Sequence, residues 1–388
     1  MNSALDHPIL YSVGKEDPYP ELSKLIDAKV TRVQRGYWLI SSYEACRQVS
    51  MDPINFSVKC RNKVVPYLLG MDPPKHLFAR KQAAQLFSRE TVQELSLYSR
   101  ELSLSMCMKI KNQSVDFVDT IAFALPARTI GHFLGVTQDE QPQFNRWVQL
   151  LMYAPASMKS GLLSFSRFEK INGEIDRFFL KKLESHRGTS DERPPLYQWF
   201  HDQATGDPVL EQDFLKLVRT LMFAGIATVS CFISNTLRAL QRDPKLWRQI
   251  QQDLSFLPKV LEESLRHDPP VPHSEQTTVY EVEVGGVVIP PNQNIIPFFA
   301  LANRDSSVFK DPHVFNPLRS DSGKHLSFGV GPHACMGAHL ARMMATNLFS
   351  SLSHQFSHFQ FEVEIEKIDW LAMTYLRGPR TLPVRFYS

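Results

Sequence analysis

No Cys-x-x-Cys pair occurs in the chain. Its five cysteines, at 46, 60, 107, 231 and 335, stand singly, so neither a tetrahedral zinc site nor a disulfide framework is expected, and an odd number of unpaired thiols fits a reducing cytosol. The N-terminus lacks a long apolar run and carries Asp6, His7, Lys15, Glu16 and Asp17 instead, so neither signal peptide nor membrane anchor is expected. No Rossmann or flavin fingerprint is present, and electrons for any redox chemistry must come from separate proteins. The chain also lacks a Gly/Ser linker, a repeat and a low-complexity segment, so residues 1–388 are read as a single domain. The net charge is only +3 and its basic residues are dispersed, which argues against a nucleic-acid partner.

What the chain does have is apolar periodicity. Residues 138–152, 165–186, 211–242 and 244–266 repeat apolar side chains at helical spacing, and Glu211–Arg242, with no internal proline, predicts one long helix through the core. Asp243-Pro244 marks a fresh helix start, with aspartate as cap and proline in the first turn. Strand-like alternation is confined to 29–41, 279–289, 359–365 and 382–386. The expected class is mainly α, an α+β fold with small sheets.

The chemistry concentrates between Phe328 and Arg342, in Phe-Gly-Val-Gly-Pro-His-Ala-Cys-Met-Gly followed by Ala-His-Leu-Ala-Arg. Glycines at 329, 331 and 337 let the backbone fold tightly around Cys335 and approach a flat ligand. Apolar Leu340, Ala341, Met344 and Leu348 follow at helical spacing, so Cys335 should stand just before a helix N-terminus, whose free N–H groups lower a thiol pKa. Phe328 can roof the sulfur against water. A single axial sulfur points to haem.

This loop resembles the haem-binding loop of the cytochromes P450, in which a cysteine thiolate holds the iron. Further motifs follow the family order from residue 71 to the C-terminus. Glu263-Ser264-Leu265-Arg266 is similar to the family's Glu-x-x-Arg helix, and Ala302-Asn303-Arg304-Asp305 to the start of its meander; Glu263, Arg266 and Arg304 are taken as structural. Met71-Asp72-Pro73-Pro74-Lys75-His76-Leu77-Phe78-Ala79-Arg80 resembles the start of the family's C helix, which implies that His76 and Arg80 bind one haem propionate. His325 resembles the donor to the second. Phe328, Gly329, His333 and Gly337 complete the implied cofactor contacts. Ala224-Gly225-Ile226-Ala227-Thr228 resembles the stretch of the long helix that faces dioxygen, where Gly225 leaves room above the iron and Thr228 orders water for proton relay.

Three departures stand out. Ala227 occupies the place of the usual acid, and an acid restored there should raise coupled turnover if proton supply is limiting. Gln276 occupies the place where many relatives have a propionate-binding arginine, and an amide supplies hydrogen bonds without charge. Between Asn55 and Met71 the chain is short, implying a trimmed lid and a substrate that is bulky, two-part or carrier-tethered.

The resemblance implies a P450 fold, haem b (iron protoporphyrin IX) and a monomeric cytoplasmic monooxygenase of secondary or catabolic metabolism. It implies a ferredoxin and ferredoxin reductase as partners, steered by Lys75, Lys81, Arg89, Lys324 and Arg342. Candidate pocket walls are Val64, Leu68, Leu69, Met152, Phe223, Ile226, His273, Met373 and Tyr375, suggesting a mostly apolar, partly aromatic small molecule. The alternatives are oxidative coupling or desaturation without oxygen insertion, peroxide-driven oxidation, and a non-catalytic haem protein.

Overall fold

The computed structural model describes residues 15–33, 37–61, 67–159, 161–186, 194–203 and 208–388. Twelve longer helices form the body: α1 (Tyr43–Met51), α2 (Lys75–Ala84), α3 (Arg89–Lys109), α4 (Ala124–Phe133), α5 (Gln141–Lys159), α6 (Phe165–Ser185), α7 (Pro195–Gln203), α8 (Pro208–Ala224), α9 (Ala227–Arg242), α10 (Pro244–Gln252), α11 (Leu257–His267) and α12 (Ala338–Gln355). Their starts follow local chemistry. Ser88 caps α3 by accepting from Thr91 N–H at 3.2 Å, and Ser164 caps α6 through Arg167 N–H at 3.3 Å. Asp243 caps α10 through Lys245 N–H at 3.1 Å, with Pro244 in the first turn. Helix α11 stops ahead of Pro269-Pro270 because proline cannot continue it.

The apolar faces of these helices meet in one large core that includes Phe144, Phe179, Phe214, Val218, Ile233, Leu237, Leu261 and Leu348. Helices α8 and α9 run through it as the long central helix, residues 210–242, long and apolar enough to cross a membrane by composition, yet 67% buried over its most apolar window within the fold itself. The central helix is interrupted at Gly225-Ile226, where Ile226 adopts φ −114° and ψ −63°. That break is the one departure from the uniform helix its periodicity predicted.

Sheet structure is peripheral. β1 (Val30–Val33), β2 (Tyr37–Ile40), β3 (Phe56–Ser57), β5 (Gln276–Thr278) and β8 (Asn294–Pro297) form one sheet in the order β1-β2-β8-β5-β3, with β2 and β8 parallel. β4 (Ser114–Asp116), β9 (His358–Phe361) and β10 (Pro383–Tyr387) form a second, and β6 (Val282–Val284) with β7 (Val287–Ile289) a hairpin. A satellite core of Val30, Ile40, Cys46, Val49 and Ile295 joins the larger sheet to α1.

Candidate functional site

The loop before α12 is closed by its own backbone. Cys335 N–H donates to Phe328 O at 2.8 Å, Ala334 N–H to Gly331 O at 3.1 Å and Gly329 N–H to Leu326 O at 2.9 Å. Gly329 and Gly331 stand at φ +65° and +74°, and a Cβ on Gly331 would lie 2.6 Å from Ser50 O at the end of α1; both glycines are therefore required. Gly337 differs. Its φ is −85°, and nothing lies within 4 Å of where a Cβ would stand, so its service is open space beside Cys335.

Cys335 has substantial accessible surface, yet protein surrounds it closely enough that burial pushes its thiol pKa up, against the opposing pull of Gly337 N–H, Arg80 and Arg342. Both follow if the side chain lines an internal cleft. Desolvation thus outweighs the helix terminus, and the thiol pKa is raised where the sequence pointed to a lowered one.

His76, on the inner face of α2, packs its ring against His333 at a centroid distance of 4.0 Å. Burial and then Arg80 lower the pKa of His76, favouring the neutral ring. Among the described residues, His76 Nδ1 and Gln276 Oε1 are buried without a hydrogen-bond partner. Arg80 is partly desolvated and within electrostatic reach of Cys335. An accessible thiol, open space at Gly337 and the unpartnered His76 Nδ1, with the Arg80 guanidinium nearby, fit a flat porphyrin bearing carboxylates, whereas Gln276 could serve one only through its amide N–H groups. Phe328, Gly329, His333 and Gly337 all stand in or beside this loop.

His325 does not join them. Its Nε2 lies 3.2 Å from Glu262 and its Nδ1 accepts from Ser327 N–H at 3.2 Å, so both ring nitrogens are committed within the protein. A propionate role for His325 would require its contact with Glu262 to give way. Glu263 and Arg266 pair as expected, with Nε–Oε2 and Nη2–Oε1 both 2.8 Å and both side chains fully buried. The meander residue tied to Glu263 is Arg319, at 2.9 Å, which sequence reading missed. Arg304 is buried, bonded to the His267 carbonyl and lying 3.5 Å over the Tyr19 ring.

In the central helix, Thr228 Oγ1 donates to Ala224 O at 2.7 Å, and Ala224, Gly225 and Thr228 are half-buried although they sit mid-core. A Cβ on Gly225 would lie 2.9 Å from Leu221 O and 3.3 Å from Ile130 Cδ1, so this glycine allows close packing on α4. Ala227 is buried with Cys231, Leu371, Met373 and Leu376.

Of the expected pocket walls, Phe223 and Tyr375 stack at 6.4 Å, and the Tyr375 hydroxyl donates to the Met152 carbonyl. Leu69 is half-buried, while Leu68 and His273 are buried. Ile226 is fully buried in the main core and Met373 in the small cluster beside Ala227. Val64 lies outside the described residues. A separate cavity of about 280 Å³, lined by Glu16, Asp17, Arg238 and Arg304 among others, contains none of the Cys335 loop.

A family model described as Cytochrome P450 matches residues 79–379. Cytochrome P450 monooxygenase PikC of Streptomyces venezuelae is 27% identical over 391 residues, 95% of this chain and 91% of that protein. Erythromycin C-12 hydroxylase of Saccharopolyspora erythraea is 26% identical, covering 90% of this chain and 89% of its own. The structure of CYP109Q5 from Chondromyces apiculatus superposes with a TM-score of 0.85 at 26% identity, covering 99% of this chain and 97% of that one. A mainly helical fold crossed by one long helix, with a lone cysteine in a closed loop ahead of α12, defines the class. The chain belongs to the cytochrome P450 family. It is a P450 monooxygenase, and membership implies a haem-thiolate cofactor.

Proposed function

We propose that this enzyme uses haem b, ligated by Cys335, to hydroxylate or otherwise oxidise a mostly apolar, partly aromatic small molecule of secondary metabolism. The observation that carries the reading is the closed Cys335 loop, with one accessible thiol, Gly337 N–H acting on its sulfur and Arg80 within electrostatic reach. The names of relatives, among them 6-deoxyerythronolide B hydroxylase and Cyclomarin C epoxidase, support a secondary metabolite as substrate.

Bound haem would supply activation of dioxygen with two electrons and two protons. The chain's own residues do the rest. His76, Arg80, His333 and the Gln276 amide would hold the propionates, with Arg80 the cation among them at neutral pH. Thr228 keeps its hydroxyl on the Ala224 carbonyl, an orientation that leaves its lone pairs to accept from water and so to hold a proton donor in place. Phe223 and Tyr375 offer aromatic surface to the substrate. Electrons would come from a ferredoxin and its reductase in the cytoplasm, with the enzyme acting as a monomer.

Ala227 favours a second reading. An apolar residue in the place of the acid suits chemistry that needs less proton delivery, such as coupling or desaturation without oxygen insertion. Purified ferric protein screened by Soret shift identifies the ligand class, and turnover under heavy-isotope dioxygen separates the readings: hydroxylation adds label, coupling does not. A reduced carbonyl adduct absorbing like a histidine-ligated globin would remove both.

A further inference from the structure

Arg342 was expected among the cations that steer a redox partner. Its geometry gives it another task. It lies on α12, about one turn after Gly337, and its guanidinium is clamped by Glu262 of α11: Nε to Oε1 at 2.5 Å and Nη2 to Oε2 at 2.9 Å. Glu262 Oε2 also faces His325 Nε2 at 3.2 Å. The same guanidinium lies over the Phe328 ring, 4.4 Å from its centroid, and the other edge of this aromatic cluster is His325, 5.9 Å away. Two segments, α11 and the stretch from His325 to Phe328, thus hold this α12 cation over the ring that precedes the cysteine loop. A two-pronged fork with a stacked face is the geometry arginine provides and lysine does not.

The Phe328 ring beneath Arg342 belongs to the residue whose carbonyl accepts from Cys335 N–H at 2.8 Å, and Arg342 and Arg80 are the cations within electrostatic reach of the Cys335 sulfur. The cation of the clamp therefore stands beside the cysteine loop. Glu262 keeps its carboxyl ionised, its pKa held down to about 2 by Arg342 and His325 against the cost of burial, so the clamp persists across the working pH range.

We propose that Arg342 sets the charge facing Cys335, and through it the readiness of the bound haem iron to accept an electron. A fixed positive charge beside the thiolate favours the reduced, less positive iron, so its loss must lower the reduction potential. Glu262 and His325 act as positioning residues for it. This rests on Cys335 being the haem ligand.

The test uses haem-loaded protein and three variants. Arg342→Gln keeps a donor for Glu262 and removes the charge; Arg342→Lys keeps the charge and loses the fork; Lys324→Met removes an exposed charge from the segment before the loop. At a fixed dye potential, Arg342→Gln should raise the ferric-to-ferrous ratio about tenfold, equivalent to about 59 mV for one electron. Arg342→Lys should stay within about threefold of the parent and Lys324→Met within about twofold. A ratio for Arg342→Gln within twofold of the parent overturns the proposal. So does an equal rise in Arg342→Gln and Arg342→Lys, which would assign the effect to packing. If Arg342→Gln retains no haem, Arg342→Met is read in its place against the same thresholds. The reduced carbonyl spectrum of the parent checks the thiolate separately, so failure of the ligand assignment and failure of the charge role give different results.

Discussion

Thr228 and Ala227 sit side by side on α9, yet their environments prescribe opposite outcomes. The Thr228 hydroxyl is bonded to the Ala224 carbonyl at 2.7 Å and remains half-buried, so Thr228→Ala removes the group that holds a proton-donating water. Product formed per reductant consumed should fall by on the order of a hundredfold, the low end of what positioned proton transfer contributes, with peroxide accumulating in its place. Peroxide assay alongside product yield checks this, and unchanged coupling would exclude the role. Ala227 is 2% exposed among Cys231, Leu371, Met373 and Leu376. An aspartate there would place a carboxylate in an apolar cluster, where burial disfavours the charged form. The gain in coupling suggested by the family pattern is therefore not expected; Ala227→Asp should lower the thermal midpoint and leave coupling no better than in the parent. A rise in product per reductant would show that the cluster opens to solvent during turnover.

At the level of elements, α11 shows what sequence spacing can and cannot reveal. Glu263 and Arg266 were legible because three residues along a helix bring two side chains to one face. Arg319 was not, because it reaches Glu263 from an irregular segment 56 positions away and carries no periodicity. The partners of His325 were hidden for a related reason: nearness to the cysteine in sequence does not fix which way a ring points, and here it meets Ser327 N–H and Glu262. Glu263→Ala should leave two largely buried guanidiniums without their carboxylate, a loss of about 3–5 kcal/mol, read as a lower urea midpoint and poor haem retention. Helix α2 supports a prediction about function. His76, Ala79 and Ala83 face inward, while Leu77 and Phe78 are 52% and 69% exposed beside Lys81. An apolar exposed pair flanked by a cation suits a partner held partly by hydrophobic contact. Phe78→Ser should slow reduction by a ferredoxin several-fold while leaving ligand-induced Soret shifts unchanged; equal reduction rates would place the docking surface elsewhere.

Across the whole molecule, helical class and the long central helix were legible from periodicity, whereas strand order was not, since β2 pairs with β8 across some 250 residues and no local pattern encodes that register. The same distance hides Asp268. Its carboxylate receives Tyr19 Oη at 2.9 Å, Arg238 Nη2 at 2.6 Å and Arg377 Nε at 2.5 Å, joining the N-terminal segment, α9, the end of α11 and the C-terminal turn at one buried point. Arg377 and Arg238 hold this carboxyl well below its usual 3.8, outweighing burial. A carboxyl depressed in the folded state adds stability above its unfolded pKa, and that stability drains away as pH falls below it. Asp268→Asn should therefore cost about 3–5 kcal/mol at neutral pH, because two guanidiniums lose their buried counter-charge. The gap between parent and variant should narrow once the pH drops below about 4, as protonation of the unfolded parent erodes its advantage. Urea midpoints for both proteins at pH 7 and about pH 3.5 test this directly: a constant gap would mean that the residue acts through shape, and a narrowing gap that charge at this single carboxylate ties the four segments together.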